Sequence, residues 1–364
     1  MSDLRIPGPT PLPDEVLQIL SKQMINHRGS EFLQLAQDAT GKLKQLFQTR
    51  NDVLMLSSSG TGGLEAAIVN SLSPGEKVLS VSIGVFGDRF ATIARQFGAN
   101  VIPCNFEWGK PADPDTVRKA LQDNPGITSV LVTHNETSTG ITNDLGSISK
   151  VVKEFDKLLL VDAISSLGAI NLPLDEWQCD VTVTGSQKGW MAPPGMAMVC
   201  VSERGWQANA EAKMPRFYWD LAKARKAFEK GQTPWTPAET IVFAFSVSLD
   251  LMLKEGLDNI VARHARVAKL ARDGVQSLGF TLFAQESHAS STVTSINAPK
   301  GLDVKNLLRT LRRDYNVELA GGQSSLSGKI FRIGHLGWVF EKDIDVVISA
   351  LKEALPKTGL GGKQ

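Results

Sequence analysis

Short apolar runs along the first half of the chain alternate with segments in which apolar residues recur every three or four positions. Apolar runs rich in β-branched residues and bounded by Gly or Pro are typical of buried strands, whereas the longer period is typical of helices. Strands are predicted at residues 53–56, 77–81, 101–104, 129–133, 158–162, 179–184 and 196–201. Helices are predicted at 14–24, 31–49, 64–69, 88–96, 114–122 and 145–155. This alternation indicates an α/β fold.

The two ends of the chain follow other patterns. Residues 1–13 are rich in proline, which cannot occupy a helix interior, and they predict an extended arm. After residue 201 the periodicity weakens, and the aromatic and Pro-rich segments 217–220 and 231–237 predict a connector. Helices are predicted at 238–254, 256–278, 304–314 and 341–354, and strands at 280–283, 292–297, 317–319 and 329–333. The predicted organisation is an arm 1–13, a large α/β domain 14–255 and a smaller α+β domain 256–364.

Composition excludes several classes of function. The chain has 364 residues with 39 Lys+Arg and 38 Asp+Glu, a net charge of +1 that offers nucleic acid or an anionic membrane no electrostatic footprint. Its three cysteines form no C-x-x-C pair and its five histidines have no ligand spacing, so no metal site is predicted. The start has no signal-peptide pattern and no apolar run is long enough to span a bilayer. A cytoplasmic location is predicted, with organelle targeting left open.

One lysine stands where a charged residue is unexpected. Lys188 lies in the Gly- and Pro-rich turn 185–195, between the predicted strands 179–184 and 196–201. An ammonium held between buried strands must find a counter-charge, lose its proton or form a covalent bond. A desolvated lysine is a good nucleophile for carbonyl groups. A lysine at a loop tip with its ammonium in water is the plain alternative.

The turn after the first predicted strand has the features of a phosphate site. Residues 57–63 read SSSGTGG and lead into a helix, so backbone N–H groups, hydroxyls and the helix dipole would all favour an anion. A dinucleotide fingerprint fits poorly, because Glu65 stands where its third Gly belongs. No G-x-x-x-x-G-K-[ST] motif occurs, which argues against a P-loop NTPase.

Three further positions follow strands or lie in one. Asp162 ends an apolar run, and a carboxylate buried there needs a cationic partner, such as a protonated pyridine nitrogen, or else caps the next turn. Phe86 follows a strand in a Gly-bracketed turn, as a core aromatic or as a ring stacked on a flat cofactor. Arg332 lies in the last predicted strand and is suited either to a substrate carboxylate or to a salt bridge. The polar loop 134–140 follows another strand, at the end where α/β sheets bind ligands.

Taken together, these motifs resemble a known family. They are PGPT at 7–10, SGTGGLEA at 59–66, THNETSTG at 133–140, VDAISSLG at 161–168, GSQK at 185–188, APPG at 192–195 and RIG at 332–334. In this order they resemble the class V pyridoxal-phosphate aminotransferases, specifically the alanine/serine–glyoxylate group. Some phototroph members carry the label of soluble hydrogenase small subunit. The resemblance implies a fold type I enzyme, with a mostly parallel seven-stranded sheet and a smaller C-terminal domain, acting as a homodimer with shared active sites.

The resemblance also implies roles for individual residues. Lys188 is similar to the Schiff-base lysine that later moves a proton, and Asp162 to the partner of the pyridine nitrogen. The other implied contacts with pyridoxal 5'-phosphate are from Ser59, Gly60, Thr61, Phe86, Ser138, Ile164 and Gln187, with Thr233 and Thr236 supplied by the second subunit. Ser138, Arg332 and the backbone of Gly8 are implied to bind substrate. The implied reaction moves an amino group from a small amino acid such as alanine or serine to glyoxylate or a similar 2-oxo acid.

Two other functions stay open at this point. One is a different pyridoxal-phosphate reaction, such as a cysteine desulfurase, which needs an exposed and mobile cysteine. None of Cys104, Cys179 and Cys200 lies in an obvious flexible loop. The other is a non-catalytic subunit of a larger complex, against which the set of Lys188, Asp162 and Arg332 argues.

Overall fold

The computed structural model of the chain describes residues 3–358. Its strands are β1 Asp3–Leu4, β2 Asp52–Ser58, β3 Lys77–Ser82, β4 Asn100–Asn105, β5 Ile127–Thr133, β6 Asn135–Glu136, β7 Ile141–Thr142, β8 Leu158–Asp162, β9 Val181–Gly185, β10 Gly195–Val201, β11 Val293–Asn297, β12 Val317–Glu318, β13 Ala320–Gly321 and β14 Ile330–Gly334. Its α-helices are α1 Asp14–Ile19, α2 Ser30–Leu46, α3 Gly60–Ser71, α4 Val85–Gln96, α5 Pro114–Asp123, α6 Leu145–Glu154, α7 Glu203–Glu211, α8 Leu221–Glu229, α9 Glu239–Glu255, α10 Leu257–Ser277, α11 Val304–Tyr315 and α12 Glu341–Ala354.

A seven-stranded sheet forms the centre of the molecule. Its order is β2-β10-β9-β8-β5-β3-β4, and every pair is parallel except the two that involve β10. All other strands of this sheet therefore end at one edge, where open α/β sheets bind ligands. The mostly parallel seven-stranded sheet predicted through the family resemblance is confirmed.

Both faces of this sheet are buried, as expected for parallel strands that carry helices on either side. In β2, Val53 and Met55 pack into one apolar cluster, whereas Leu54 and Leu56 pack into the other. The alternation explains why the strand reads as a continuous apolar run. Gly63 in the first turn of α3 approaches β9 so closely that a Cβ there would lie 2.6 Å from Val183.

A smaller sheet of order β11-β14-β13 lies in the C-terminal part and packs with α10, α11 and α12 around its own apolar cluster. Gly256, with φ of +83°, separates α9 from α10. Helix α9 contacts α1 and α2, whereas α10 contacts α12 and β11. We propose that the domain boundary lies here, near residue 255.

The N-terminal arm first contacts the C-terminal part of the chain and then runs toward the large sheet. β1 pairs in parallel with β12, and the Gly334 N–H donates to the Arg5 carbonyl at 2.7 Å. The arm then runs to the turn after β9, where Lys188 donates to the Pro7 carbonyl. No helix within residues 3–358 is long and apolar enough to cross a membrane.

Three predicted elements differ from the structure. The helix predicted to residue 24 ends at Ile19, because the residues that follow are mostly polar and exposed. No strand forms at 280–283, where Leu282 makes only an isolated bridge with Ile296. The predicted connector contains α8, which begins where the Asp220 side chain caps the Lys223 N–H, and α7 precedes it. Each of these two helices has only nine residues, and this short length explains why the sequence pattern did not predict them.

Candidate active site

A cavity of about 170 Å³ opens at the edge of the large sheet where β2, β3, β5, β8 and β9 end. Each of these strands delivers one or more side chains to it. The lining residues are Ser59, Gly60, Thr61, Leu64, Phe86, Arg89, Asn135, Thr137, Asp162, Ile164, Ser165, Gln187 and Lys188. The structure thus brings together eight of the residues predicted from the sequence.

Lys188 lies on the wall formed by the turn after β9. Its Nζ donates to the Pro7 carbonyl. The pKa of Lys188 is lowered to about 8, mainly by burial; the carboxylate of Asp162 opposes this shift, and the positive charges of Arg332 and Arg89 contribute to it. At Gly8 a Cβ would lie 2.7 Å from Lys188 Nζ, and φ is +106°, so only glycine fits there. The lysine therefore has the partly neutral amine that attack on a carbonyl requires.

This lowered pKa predicts how fast the cofactor-free protein captures an aldehyde. The neutral amine is the reactive form, so the rate of pyridoxal-phosphate capture should rise with pH and level off above about 8. An exposed lysine would keep gaining reactivity up to its ordinary pKa of 10.5. Stopped-flow absorbance across this pH range, with Lys188→Ala as the blank, measures the profile. A rate that is still climbing at pH 10 would contradict the assignment.

Asp162 is the last residue of β8 and is 3% exposed. Its Oδ1 accepts from the Ile164 N–H at 2.9 Å. The pKa of Asp162 is raised to about 7, mainly by burial and with a contribution from the Glu136 charge, while the Ile164 N–H and the charges of Lys188 and Arg89 oppose the rise. No ion pair holds this carboxyl group within residues 3–358. A cation bound beside it would restore its negative charge.

The turn between β2 and α3 has free donors. Ser59 is the N-cap residue of α3, its side chain makes no capping hydrogen bond, and the first helical turn contains no acidic residue. Gly60 approaches Ile164 so closely that a Cβ would lie 2.6 Å from Ile164 Cδ1. The Gln187 amide oxygen is buried and has no hydrogen-bond partner among residues 3–358. A flip of that amide would offer an N–H to an anion, so this corner of the cavity fits a phosphate group.

Phe86 lies in the first turn of α4 and lines the cavity together with Ile164. The guanidinium of Arg89, one turn further along α4, lies 4.7 Å from the centroid of the Phe86 ring. Arg89 makes no hydrogen bond or ion pair with any other residue that the structure describes. Sequence reasoning did not single out Arg89, whose only signal was its spacing of three residues from Phe86.

The loop after β5 is arranged differently from the prediction. Ser138 is fully buried and does not line the cavity, because its hydroxyl donates to Glu136 and accepts from the Val85 N–H. Asn135 and Thr137 line the cavity instead. Thr137, rather than Ser138, therefore lines the cavity. The register of a two-residue strand, β6, decides which side chain of the loop faces inward.

Arg332 lies in β14, behind the cavity wall, and is 5% exposed. Its Nε and Nη2 donate to the Gly321 carbonyl at 3.0 and 2.8 Å, and its Nη1 donates to the Thr137 carbonyl at 3.0 Å. Burial lowers the pKa of Arg332 to about 10, and the Glu136 charge opposes this. No carboxylate forms an ion pair with Arg332 in the described chain. It is a fixed cation with charge left to attract an anion.

Thr233 and Thr236 are not brought to Lys188. They line a separate groove beside an aromatic cluster, Tyr218, Trp219 and Trp235, and the Thr233 hydroxyl donates to the Trp235 carbonyl at 2.6 Å. Neither threonine therefore lines the Lys188 cavity of its own chain.

The family model described as aminotransferase class V matches residues 4–337. The chain belongs to the class V aminotransferases. Relatives of this class V chain include the soluble hydrogenase 42 kDa subunit of Anabaena cylindrica, which is 45% identical over 98% of this chain and 94% of that protein. The L-aspartate–glyoxylate aminotransferase of Paracoccus denitrificans is 35% identical over 91% of this chain and 85% of that protein.

Other similar proteins of this class V family are also named as aminotransferases. The serine–glyoxylate aminotransferase of Methylorubrum extorquens is 33% identical over 98% of this chain and 92% of that protein. The crystal structure of alanine–glyoxylate aminotransferase from Nostoc sp. superposes with a TM-score of 0.94 at 30% identity, covering 97% of this chain and 95% of that one. The chain is a transaminase, and its cofactor is pyridoxal phosphate.

The hydrogenase label of the Anabaena relative has no counterpart in the described part of this aminotransferase. No group of three or more His, Cys, Asp or Glu side chains within residues 3–358 is arranged to hold a metal ion. Cys104, Cys179 and Cys200 are all buried, and burial raises the pKa of each thiol. They lack the exposed thiolate that desulfurase chemistry requires.

Proposed function

We propose that this chain transfers the amino group of a small L-amino acid, alanine or serine, to glyoxylate or a similar 2-oxo acid by a ping-pong mechanism. The observation that carries the proposal is the placement of Lys188 and Asp162 in one buried cavity, with the unpaired cation Arg332 behind its wall. The names of the alanine–glyoxylate and serine–glyoxylate relatives support the substrate class.

The cavity residues fit pyridoxal phosphate as follows. Ser59, Gly60, Thr61 and Gln187 would hold the phosphate at the N-terminus of α3. Phe86 and Ile164 would cover the two faces of the ring. Asp162 would hold the proton on the pyridine nitrogen, and the cationic nitrogen in turn keeps Asp162 ionised. Thr137, which lines the cavity, would take the position beside the ring and substrate that the family resemblance implied for Ser138.

When bound, this cofactor links to amines through its aldehyde and draws electrons from the substrate's α-carbon. Arg332 would bind the substrate carboxylate, supported by the backbone of Gly8, and so fix the amino acid with its α-hydrogen toward Lys188. Lys188, with its lowered pKa, would remove that proton and return it at a second carbon. The same residues would then serve the 2-oxo acid in reverse.

We further propose that the enzyme is a homodimer in which each subunit completes the other's site. Thr233 and Thr236 lie away from Lys188 of their own chain. The N-terminus of α3 has no side-chain cap and no acidic residue in its first turn, so hydroxyls from a second subunit would add useful donors for the phosphate there. Beside these threonines, Phe217 is 68% exposed, which is high for an aromatic side chain.

Initial-rate kinetics test the proposed reaction. Alanine or serine is varied at several fixed glyoxylate concentrations, and glycine formation is followed. Parallel double-reciprocal lines are expected, because the first product leaves before the acceptor binds. Intersecting lines, or no glycine from either donor, would contradict the proposal.

Arg89 favours a second donor, aspartate. Its guanidinium lines the cavity and has no anionic partner in the described chain, so it can accept a second carboxylate. The Paracoccus relative is named as an aspartate–glyoxylate enzyme. Aspartate would then place one carboxylate on Arg332 and the other on Arg89.

Replacing Arg89 separates these two donors. Arg89→Gln should lower kcat/KM for aspartate about tenfold or more, as expected for a lost hydrogen bond to a charged group, and leave alanine within about twofold. Arg332→Gln is the matched comparison, since it should impair both donors. Equal losses for alanine and aspartate in Arg89→Gln would show that Arg89 acts on the cofactor and not on a second carboxylate.

A further inference from the structure

The N-termini of two helices, α3 and α4, face the cavity, and their backbone N–H groups are capped in different ways. The N-terminus of α3 has no acidic residue in its first turn and no side-chain cap. The N-terminus of α4 also lacks a cap of its own, because its N-cap residue is Gly84. Unsatisfied N–H groups and the helix dipole make both of these ends attractive to an anion.

At α4 that place is already taken by Glu136, a buried residue from the loop after β5. Its Oε2 accepts from the N–H groups of Phe86 and Gly87, both at 3.1 Å. Its Oε1 accepts from the N–H and hydroxyl of Ser138, at 3.1 and 2.5 Å. The Ser138 hydroxyl oxygen in turn accepts from the Val85 N–H at 3.0 Å. The first three amides of α4 are thus capped from another part of the chain.

Glu136 packs so closely against Gly84 that no larger residue fits at position 84. A Cβ at Gly84 would lie 2.5 Å from both Glu136 Cγ and Ser138 Oγ, so glycine is required where the carboxylate enters. Glu136 is fully buried, its hydrogen-bond partners all donate to it, and none of these donors is a cation. Burial raises the pKa of Glu136, and these donors oppose that rise by favouring the charged form.

We propose that Glu136 is a positioning residue: it closes the N-terminus of α4, leaves α3 as the helix end that binds the cofactor phosphate, and holds Phe86 in place over the ring. This inference rests on the proposed function. Glu136 touches neither cavity nor substrate, so its effect passes through the backbone of Phe86 and of Thr137, whose carbonyl holds Arg332.

The first test uses the cofactor-free protein. Glu136→Gln keeps the size of the side chain but removes its charge and leaves one N–H facing a donor. Asp88→Asn is the matched control, because Asp88 is an exposed acid in the same helical turn that accepts from the Ser82 hydroxyl and contacts none of the capped amides. Hydrogen–deuterium exchange at Val85–Gly87 should accelerate about tenfold or more in Glu136→Gln and stay unchanged in Asp88→Asn.

The second test uses cofactor. Glu136→Gln should bind pyridoxal phosphate about tenfold more weakly, and the circular dichroism per bound cofactor should fall, because Phe86 no longer has a fixed position. At saturating cofactor kcat should fall more than KM changes. A variant that unfolds at a lower temperature but keeps wild-type exchange, cofactor affinity and circular dichroism would overturn the proposal.

If Glu136→Gln does not fold, Ser138→Ala is a second variant with which the same proposal can be tested. It leaves the carboxylate but removes one donor and the acceptor of the Val85 N–H, so faster exchange is expected at Val85, with about threefold weaker cofactor binding. Wild-type values for both would also overturn the proposal. Failure of the wild-type protein to bind pyridoxal phosphate would instead refute the proposed function, whereas the exchange result would still report on the α4 cap.

Discussion

Lys188→Ala is expected to abolish transamination, with kcat reduced at least about 10⁴-fold, while the protein still binds pyridoxal phosphate without a covalent bond. The loss should be this large because one amine both captures the aldehyde and moves the proton, and general acid–base catalysis alone contributes up to about 10⁴-fold. The phosphate contacts proposed at α3 and the ring contacts proposed for Phe86 and Ile164 do not involve the lysine, so some cofactor affinity should persist.

The comparison variant is Lys300→Ala, which changes an exposed lysine in a loop of the small domain and should behave as wild type. Reduction with borohydride before digestion should label the peptide that contains residue 188 in wild type and in Lys300→Ala. Turnover by Lys188→Ala within about tenfold of wild type, or a covalent label on a different lysine, would refute the assignment.

Asp162→Asn is expected to reduce kcat about 10²–10³-fold, the usual cost of removing one preorganised electrostatic contact in an active site. Asparagine has nearly the same shape but no charge, so it cannot keep a pyridine nitrogen protonated. The environment is already unfavourable to charge, since burial raises the pKa of Asp162 to about 7 although the nearby charges of Lys188 and Arg89 oppose the rise. Kinetics at saturating amino acid and cofactor measure the effect.

The comparison here is Asp123→Asn, which removes an exposed carboxylate that pairs only with Lys119 on the surface of α5. It should leave kcat within about twofold. If Asp162→Asn instead lost its activity through KM alone, Asp162 would serve substrate binding, and its proposed contact with the ring nitrogen would be wrong.

Much of the large domain followed from the sequence because its physics is local. A strand buried on both faces must be apolar throughout, which made β5, β8, β9 and β10 visible as runs. The turn before α3 was predictable because residues 57–63 are all Ser, Gly or Thr. Helices α7 and α8 were missed because each has only nine residues and buries only two of them, too few for a repeating apolar pattern to be recognised.

Site residues were predictable where a residue type is unusual for its position in the fold and few structural reasons could account for it. Lys188 and Asp162 stood out because charge at the end of a buried strand is costly. The exchange between Ser138 and Thr137 was not predictable, because it depends on the register of β6 and on the bond between Ser138 and Glu136. Glu136 gave no signal, since its partners are backbone amides of a helix fifty residues away along the chain.

The most direct test of the account is the absorbance spectrum of the purified protein with pyridoxal phosphate, recorded before and after addition of L-alanine or L-serine. The account predicts a yellow band from lysine-bound cofactor, which bleaches with one of these amino acids and returns when glyoxylate is added. A protein that stays colourless with the cofactor, or a band that no amino acid bleaches, would contradict it.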